Sequence, residues 1–246
     1  FTVFFDRMAL ADSLLAMFGV WVLYLGVLLV HYQRLDLAMV TGMVLGGALL
    51  TKSPATFFAI LLPTTVILAL FKLRKGAGQL IKLGGLWLIV YVFAYGIYNL
   101  LRLGPNFQMI ALRNKDYIFP LNHALTNPFD PLQFHLIEIW QWFGTFLTWP
   151  VFLVGLAGII FGLKKHFKPT VVILLWMIFP LLVQAEFAKV FTARYLLFVV
   201  PFFLIFVAIL TEFILGKAKF KPLVVFLLLI LLFFSLKFDF QLLTNP

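Results

Sequence analysis

Eight long apolar runs, parted by short charged clusters, leave this chain only one kind of solvent in which to fold. The runs are 9–30, 36–51, 54–71, 80–101, 144–163, 169–186, 193–215 and 222–240. A spanning helix needs roughly 20 apolar residues. The chain is 64% hydrophobic and 11% charged, with mean hydropathy +1.10, whereas a soluble domain is about 25% charged. No soluble core could hide this much apolar surface, but a bilayer can. The pattern predicts an all-α, polytopic transmembrane helical bundle of about eight spans, with 1–246 as a single transmembrane domain. The second run is short and holds Gly42, Gly46 and Gly47. Small residues of this kind predict close helix packing, with a re-entrant or interfacial piece as the alternative.

Cysteine is absent, which excludes disulfides and thiolate metal sites. The chain opens on Phe1 with no signal-peptide n-region or cleavage site, and it stops at Pro246 after an apolar run. It therefore reads as a fragment of a longer protein, lacking the N-terminal part.

The charges set an expected topology. Arg34, Lys72, Arg74, Lys75, Lys82, Lys164, Lys165, Lys168, Lys217, Lys219 and Lys221 fall in alternate connections, with only Asp36 and Glu212 nearby. By the positive-inside rule these connections are cytoplasmic. The net charge of +10 is then mostly a topology signal and gives no reason to invoke nucleic acid. The opposite side carries Asp6, Arg7, Asp12, Lys52, the loop 102–143, the Glu186–Arg194 connection and Asp239. It is near charge balance yet rich in both signs, which topology alone does not explain.

The loop 102–143 is the one long connection and is expected to be extracytoplasmic. Asn106–Leu112 could form a short amphipathic surface helix, while Pro120, Pro128 and Pro131 argue against a long helix in the middle. Trp140 and Trp142 suit the interface, where indole rings prefer to sit.

Three membrane-edge clusters and one loop set carry candidate chemistry. Arg7 and Asp12 sit at the mouth of the first run, where ionisable groups are costly unless solvated, paired or used. An interfacial salt bridge, with Asp12 reaching back to Arg7, would account for them without function. Lys52 lies between two runs and beside Pro54. It is a compact cation suited to a phosphate, and equally a snorkelling lysine at a helix end. Glu186, Lys189 and Arg194 share one short connection that leads through Tyr195 into the next run. Arg194 is the natural bidentate partner for phosphate oxygens, whereas Glu186 and Lys189 would make an ordinary surface pair. In the loop, Arg102, Arg113, Lys115, Asp116, Tyr117, His123, Asp130, His135 and Glu138 lack any tight metal spacing such as HExxH. His135 and Glu138 could share a helical face. There is no P-loop, GxSxG or Rossmann fingerprint, which excludes ATP hydrolysis as an expectation.

In order and sidedness, these motifs resemble those of the GT-C superfamily of lipid-linked-sugar glycosyltransferases, nearest its family 39 and ArnT-like branch (protein mannosyltransferase-like). Arg7–Asp12 is similar to that family's second extracytoplasmic acidic motif. The LLTKSP segment at 49–54 looks like its L-T-K-x-P segment, ARYLLFVVP at 193–201 looks like its R-Y-x-x-x-x-x-P segment, and MIALRNKDYIFPL at 109–121 is similar to members of the branch.

The resemblance implies an inverting hexosyl- or pentosyltransferase, multi-pass in the plasma (inner) membrane, with its active site outside the cytoplasm. The donor would be a polyprenyl-phosphate sugar and the acceptor a protein, lipid or glycan. Asp12 would sit at the catalytic centre, with Arg7 holding it in place. Lys52 and Arg194 would bind the donor phosphate, with Arg102 and Arg113 as lesser candidates. Asp116, His123 and Asp130 are the loop candidates. The family's principal catalytic acid is expected on a loop ahead of Phe1, so the general base cannot be named and the fragment alone should be inactive. A divalent metal is compatible with the resemblance, but the ligand set is too thin to assign one, and no other cofactor is implied. A transporter or flippase of a lipid-linked or anionic solute is the alternative. Against it, the charges cluster at a membrane edge and not at the midplane, where transporter sites lie. A non-catalytic membrane scaffold would leave the mixed-charge face unexplained.

Overall fold

The computed structural model describes residues 11–69, 77–216 and 221–244. Asp6, Arg7, Lys72, Arg74, Lys75, Lys217 and Lys219 lie outside the described residues. The described chain is all-α. Its helices are α1 (Ala11–Tyr32), α2 (Leu35–Thr51), α3 (Ala55–Leu61), α4 (Ala77–Tyr98), α5 (Phe107–Tyr117), α6 (Leu121–Thr126), α7 (Leu132–Phe146), α8 (Trp149–Lys165), α9 (Phe167–Phe187), α10 (Val200–Leu215) and α11 (Lys221–Thr244). Short 3₁₀ segments cover Leu62–Ala69, Asn99–Leu103 and Ala193–Leu196.

Among the described residues, three helical stretches are long and apolar enough to cross a membrane: Ala11–Tyr32, Gly78–Leu103 and Phe167–Phe187. A fourth exists if α7 and α8, which meet at a 113° bend, count as one span. This corrects the expectation of about eight, for physical reasons visible in particular elements. At 1.5 Å per residue, the 17 residues of α2 reach only about 26 Å, short of a hydrocarbon core of about 30 Å. The run 54–71 breaks into α3 and a 3₁₀ segment that holds Pro63. The run 193–215 opens as a 3₁₀ turn, leaving 16 residues of α-helix in α10.

Lipid tails are as apolar as leucine, so helices in a bilayer associate chiefly through close packing. The glycines supply it here. On α2, a Cβ at Gly42 would lie 2.7 Å from the Val90 carbonyl oxygen of α4, and one at Gly46 would lie 2.8 Å from Ile97 Cβ. A Cβ at Gly47 would lie 2.9 Å from the Phe18 ring of α1. The predicted close packing of this Gly-rich helix is therefore observed. Gly155 and Gly158 do the same for α8 against α10, meeting the Phe203 ring and the Phe206 backbone.

Aromatic rings fill the centre. Phe58 of α3 stacks on Trp176 of α9 at 5.9 Å and meets Phe198 edge-on at 6.2 Å. Trp176 also meets Phe202 of α10 at 6.1 Å. All four side chains are fully buried. The indole N–H of Trp176 donates to Thr64 Oγ1 at 3.2 Å, so the ring's polar edge is satisfied and its orientation fixed. This core ties the α1–α3 region to α9 and α10, and that tie positions the site.

The long connection is less extended than its prolines suggest. The amphipathic helix expected at Asn106–Leu112 is present and continues to Tyr117 as α5. The prolines hold α6 to six residues, and α7 and α8 follow across Leu147 and Thr148. Thr148 adopts φ 65°, a left-handed conformation rare for a β-branched residue, at the bend between them.

Candidate functional site

The turn between α1 and α2 is two residues long, so the helices run antiparallel and the start of α1 meets the end of α2. That geometry brings together two residues 40 positions apart. Lys52 Nζ donates to Asp12 Oδ1 at 2.5 Å. Asp12 lies in the first turn of α1 and Lys52 caps α2 at its C-terminus. Each charge complements the dipole of its own helix. The Asp12 side chain is 4% exposed and that of Lys52 is 27% exposed. Asp12 was expected to be held by Arg7, which lies outside the described residues. Among the described residues its ion-pair partner is Lys52.

Lys52 and Arg194 converge on one aromatic ring. Lys52 Nζ lies 4.9 Å from the Tyr195 ring centroid, and the Arg194 guanidinium lies 5.4 Å from it. A ring face attracts cations, and it lets two of them approach a common region. Tyr195 is fixed by the 3₁₀ turn Ala193–Leu196, whose Leu196 is buried, and by contact with Phe191 at 5.7 Å. Arg194 Nε is buried and has no hydrogen-bond partner among the described residues. Buried polar groups are almost always paired, so this N–H is available to an acceptor.

The two cations line a cavity of about 460 Å³, within the usual range for small-molecule sites. The hinge before α3 contributes Lys52, α3 itself contributes Phe57, and the end of α5 contributes Asn114 and Tyr117. The end of α9 contributes Gln184, and the connection after it contributes Arg194 and Tyr195. The loop wall is sewn to α9. Phe119 N–H donates to the Phe187 carbonyl at 2.7 Å, Lys189 N–H donates to the Tyr117 carbonyl at 2.9 Å, and Ile118 and Ala188 form an isolated antiparallel bridge. Lys189 Nζ adds a bond to the Lys115 carbonyl at 2.6 Å. This engagement corrects the expected Glu186–Lys189 pair: Glu186 has no ion-pair partner among the described residues, and its Oε2 is buried without a hydrogen bond.

His135 anchors the same region from below. It is buried on α7, its Nδ1 is 2.7 Å from the Ala185 carbonyl oxygen, and its ring stacks on Phe191 at 4.9 Å. His135 does lie on one helix with Glu138, but its hydrogen bond goes to α9. The other candidates stand apart from the cavity lining. Arg102 is exposed over the Phe107 ring at 5.6 Å, and Arg113 and Asp116 are exposed. His123 stacks on Phe119 at 4.2 Å and faces exposed Asp130 at 4.0 Å. Among the described residues no group of three or more His, Cys, Asp or Glu could hold a metal ion.

Sequence reasoning singled out Lys52 and Arg194 and placed Tyr117 in the loop set without a role, but it gave no site role to Tyr195, Asn114 or Gln184. Tyr195 follows Arg194 directly and was open to notice. Asn114, Tyr117 and Gln184 become neighbours only through the bridge between α5 and α9, for which one sequence holds no signal. No family model, curated protein or solved structure matches the chain.

Proposed function

We propose that the chain belongs to a membrane glycosyltransferase that moves a sugar from a polyprenyl-phosphate donor to an acceptor hydroxyl or phosphate at the extracytoplasmic face of the plasma (inner) membrane. The observation that carries this reading is the convergence of Lys52 and Arg194 on the Tyr195 ring, at the wall of a cavity of about 460 Å³. In such a transfer the acceptor oxygen bonds to the anomeric carbon as the bond to the phosphate oxygen breaks. Negative charge collects on the departing phosphate, and preorganised cations there stabilise the transition state. Arg194, whose Nε–H has no partner among the described residues, is the primary phosphate ligand. Lys52 is the second, and its position is set by Asp12, which acts through Lys52 as a positioning residue. The described residues that line the cavity supply cations and hydrogen-bonding groups. The acceptor is a protein, lipid or glycan, and the isoprenoid lies among the Phe- and Leu-rich helices. The multi-pass architecture includes the shorter apolar helices as partners of the three or four long ones.

The test is sugar transfer from a panel of polyprenyl-phosphate sugars in membranes containing the full-length protein. Arg194→Ala should raise the apparent donor KM by roughly 10- to 100-fold, the worth of a hydrogen bond to a charged group, with acceptor KM unchanged. Equal or negligible effects on both would remove the phosphate assignment. Vesicle uptake of the substrate without transfer would replace the enzyme with a transporter or flippase.

A further inference from the structure

Resting on that reading, we propose that Asn114 and Gln184 are the residues that select the sugar, and that the sugar they select is uncharged. The charge inventory of the cavity is the starting point. Its two cations are committed: Lys52 is paired with Asp12, and by the proposal above both Lys52 and Arg194 hold the phosphate. Among the described residues that line it, none is acidic. What remains to face a sugar is neutral: the Asn114 and Gln184 amides, the Tyr117 hydroxyl and apolar walls such as Phe57.

The two amides are free to act. The Asn114 side chain makes no hydrogen bond with the described residues. Gln184 spends only its N–H, in a long 3.4 Å contact to the Pro180 carbonyl, which leaves its oxygen unused. A side-chain amide offers both donors and an acceptor, and a sugar hydroxyl is likewise both donor and acceptor. An ammonium is different, since it has three donors and no acceptor. Among the described residues that line the cavity, an amino sugar would find no carboxylate to pair with its ammonium, and Asp12, the carboxylate beside Lys52, is already held by that lysine. A uronic acid would compete with the phosphate for Arg194. The two amides come from different helices, Asn114 from α5 and Gln184 from α9. Their spacing is therefore fixed by the bridge between Ile118 and Ala188.

The experiment measures equilibrium binding as well as transfer, using short-chain polyprenyl phosphates that carry a neutral hexose, an amino sugar or no sugar, on membranes of the full-length protein. Wild type should bind the neutral donor at least about 10-fold more tightly than the amino-sugar donor, a difference of about 1.4 kcal/mol. Gln184→Glu places a carboxylate in the lining and should narrow or invert that ratio. Gln184→Ala should weaken the neutral donor without favouring the amino sugar. The sugar-free lipid phosphate should bind wild type and Gln184→Ala alike, which shows that the fold and the phosphate site are intact. Equal binding of both sugars by wild type, or an unchanged ratio in Gln184→Glu, would overturn the selectivity and leave the transferase standing. Selective binding with no transfer to any acceptor would remove the transferase and leave the selectivity. Failure of all three lipids to bind would remove both.

Discussion

The hairpin of α1 and α2 carries a carboxylate–cation pair at each end. At one end Lys52 and Asp12 meet at 2.5 Å across 40 positions, with side chains 27% and 4% exposed. At the other, Arg34 and Asp36 meet at the same 2.5 Å across two positions, with side chains 65% and 59% exposed. Contact distance does not separate them, but access to water does. Arg34 and Asp36 can each exchange the other for solvent, so their pair is screened and nearly neutral in stability. Asp12 has no such exchange, and removing its partner strands a charge where desolvation is expensive. A local pair on a turn is an expected surface feature. A buried pair assembled from two helix ends depends on how the helices pack, and it fixes where the lysine beside the cavity sits.

The largest expected effect breaks the buried end. Lys52→Met should destabilise the protein by about 3 kcal/mol, the usual cost of leaving one member of a buried pair alone. Thermal unfolding in detergent measures it. Asp12→Asn combined with Lys52→Met should recover most of that loss while leaving donor binding impaired. A double variant as unstable as Lys52→Met alone would mean that Lys52 stabilises by packing and not by its charge.

An intermediate effect tests the middle of the hairpin. Gly42→Ala would push a methyl against the Val90 carbonyl oxygen at 2.7 Å and should cost about 1–3 kcal/mol. The loss should be additive with Lys52→Met, because the contacts differ. Strong coupling between the two would show that helix spacing controls the ion pair.

The smallest effect is at the exposed end. Arg34→Ala and Asp36→Asn should leave unfolding and donor binding unchanged within error. A loss comparable to that of Lys52→Met would erase the distinction between the two ends.

The sequence made the helices legible and their breaks much less so. The run 9–30 is found as Ala11–Tyr32, and 169–186 as Phe167–Phe187, because long apolar stretches in lipid must close their own backbone hydrogen bonds. The same rule does not say whether a run stays straight. Pro63 lies inside the run 54–71, and the 3₁₀ turn before α10 depends on how Ala193–Leu196 packs. In the site, Lys52 and Arg194 were visible because a cation at a membrane edge is conspicuous in itself. The partner of Asp12 was not, because it depends on the antiparallel return of α2. Asn114 and Gln184 are common polar residues, and their meaning comes from a pairing between α5 and α9 that no local pattern records.

That pairing has a consequence for the order in which the molecule assembles. The contacts of Tyr117 and Phe119 with Phe187 and Lys189 close a ring of chain whose outer tie, Lys115 to Lys189, spans 74 positions. Closing a flexible ring of that length costs about 4 kcal/mol in chain entropy. Two backbone hydrogen bonds return only about 2 kcal/mol between them. On this balance the bridge is expected to form after α7 has docked on α9 through His135 and brought its ends together. The amides of Phe119 and Lys189, which make its two backbone bonds, should then exchange with solvent faster than those inside α9, and the cavity wall the bridge carries should open before the helices that flank it.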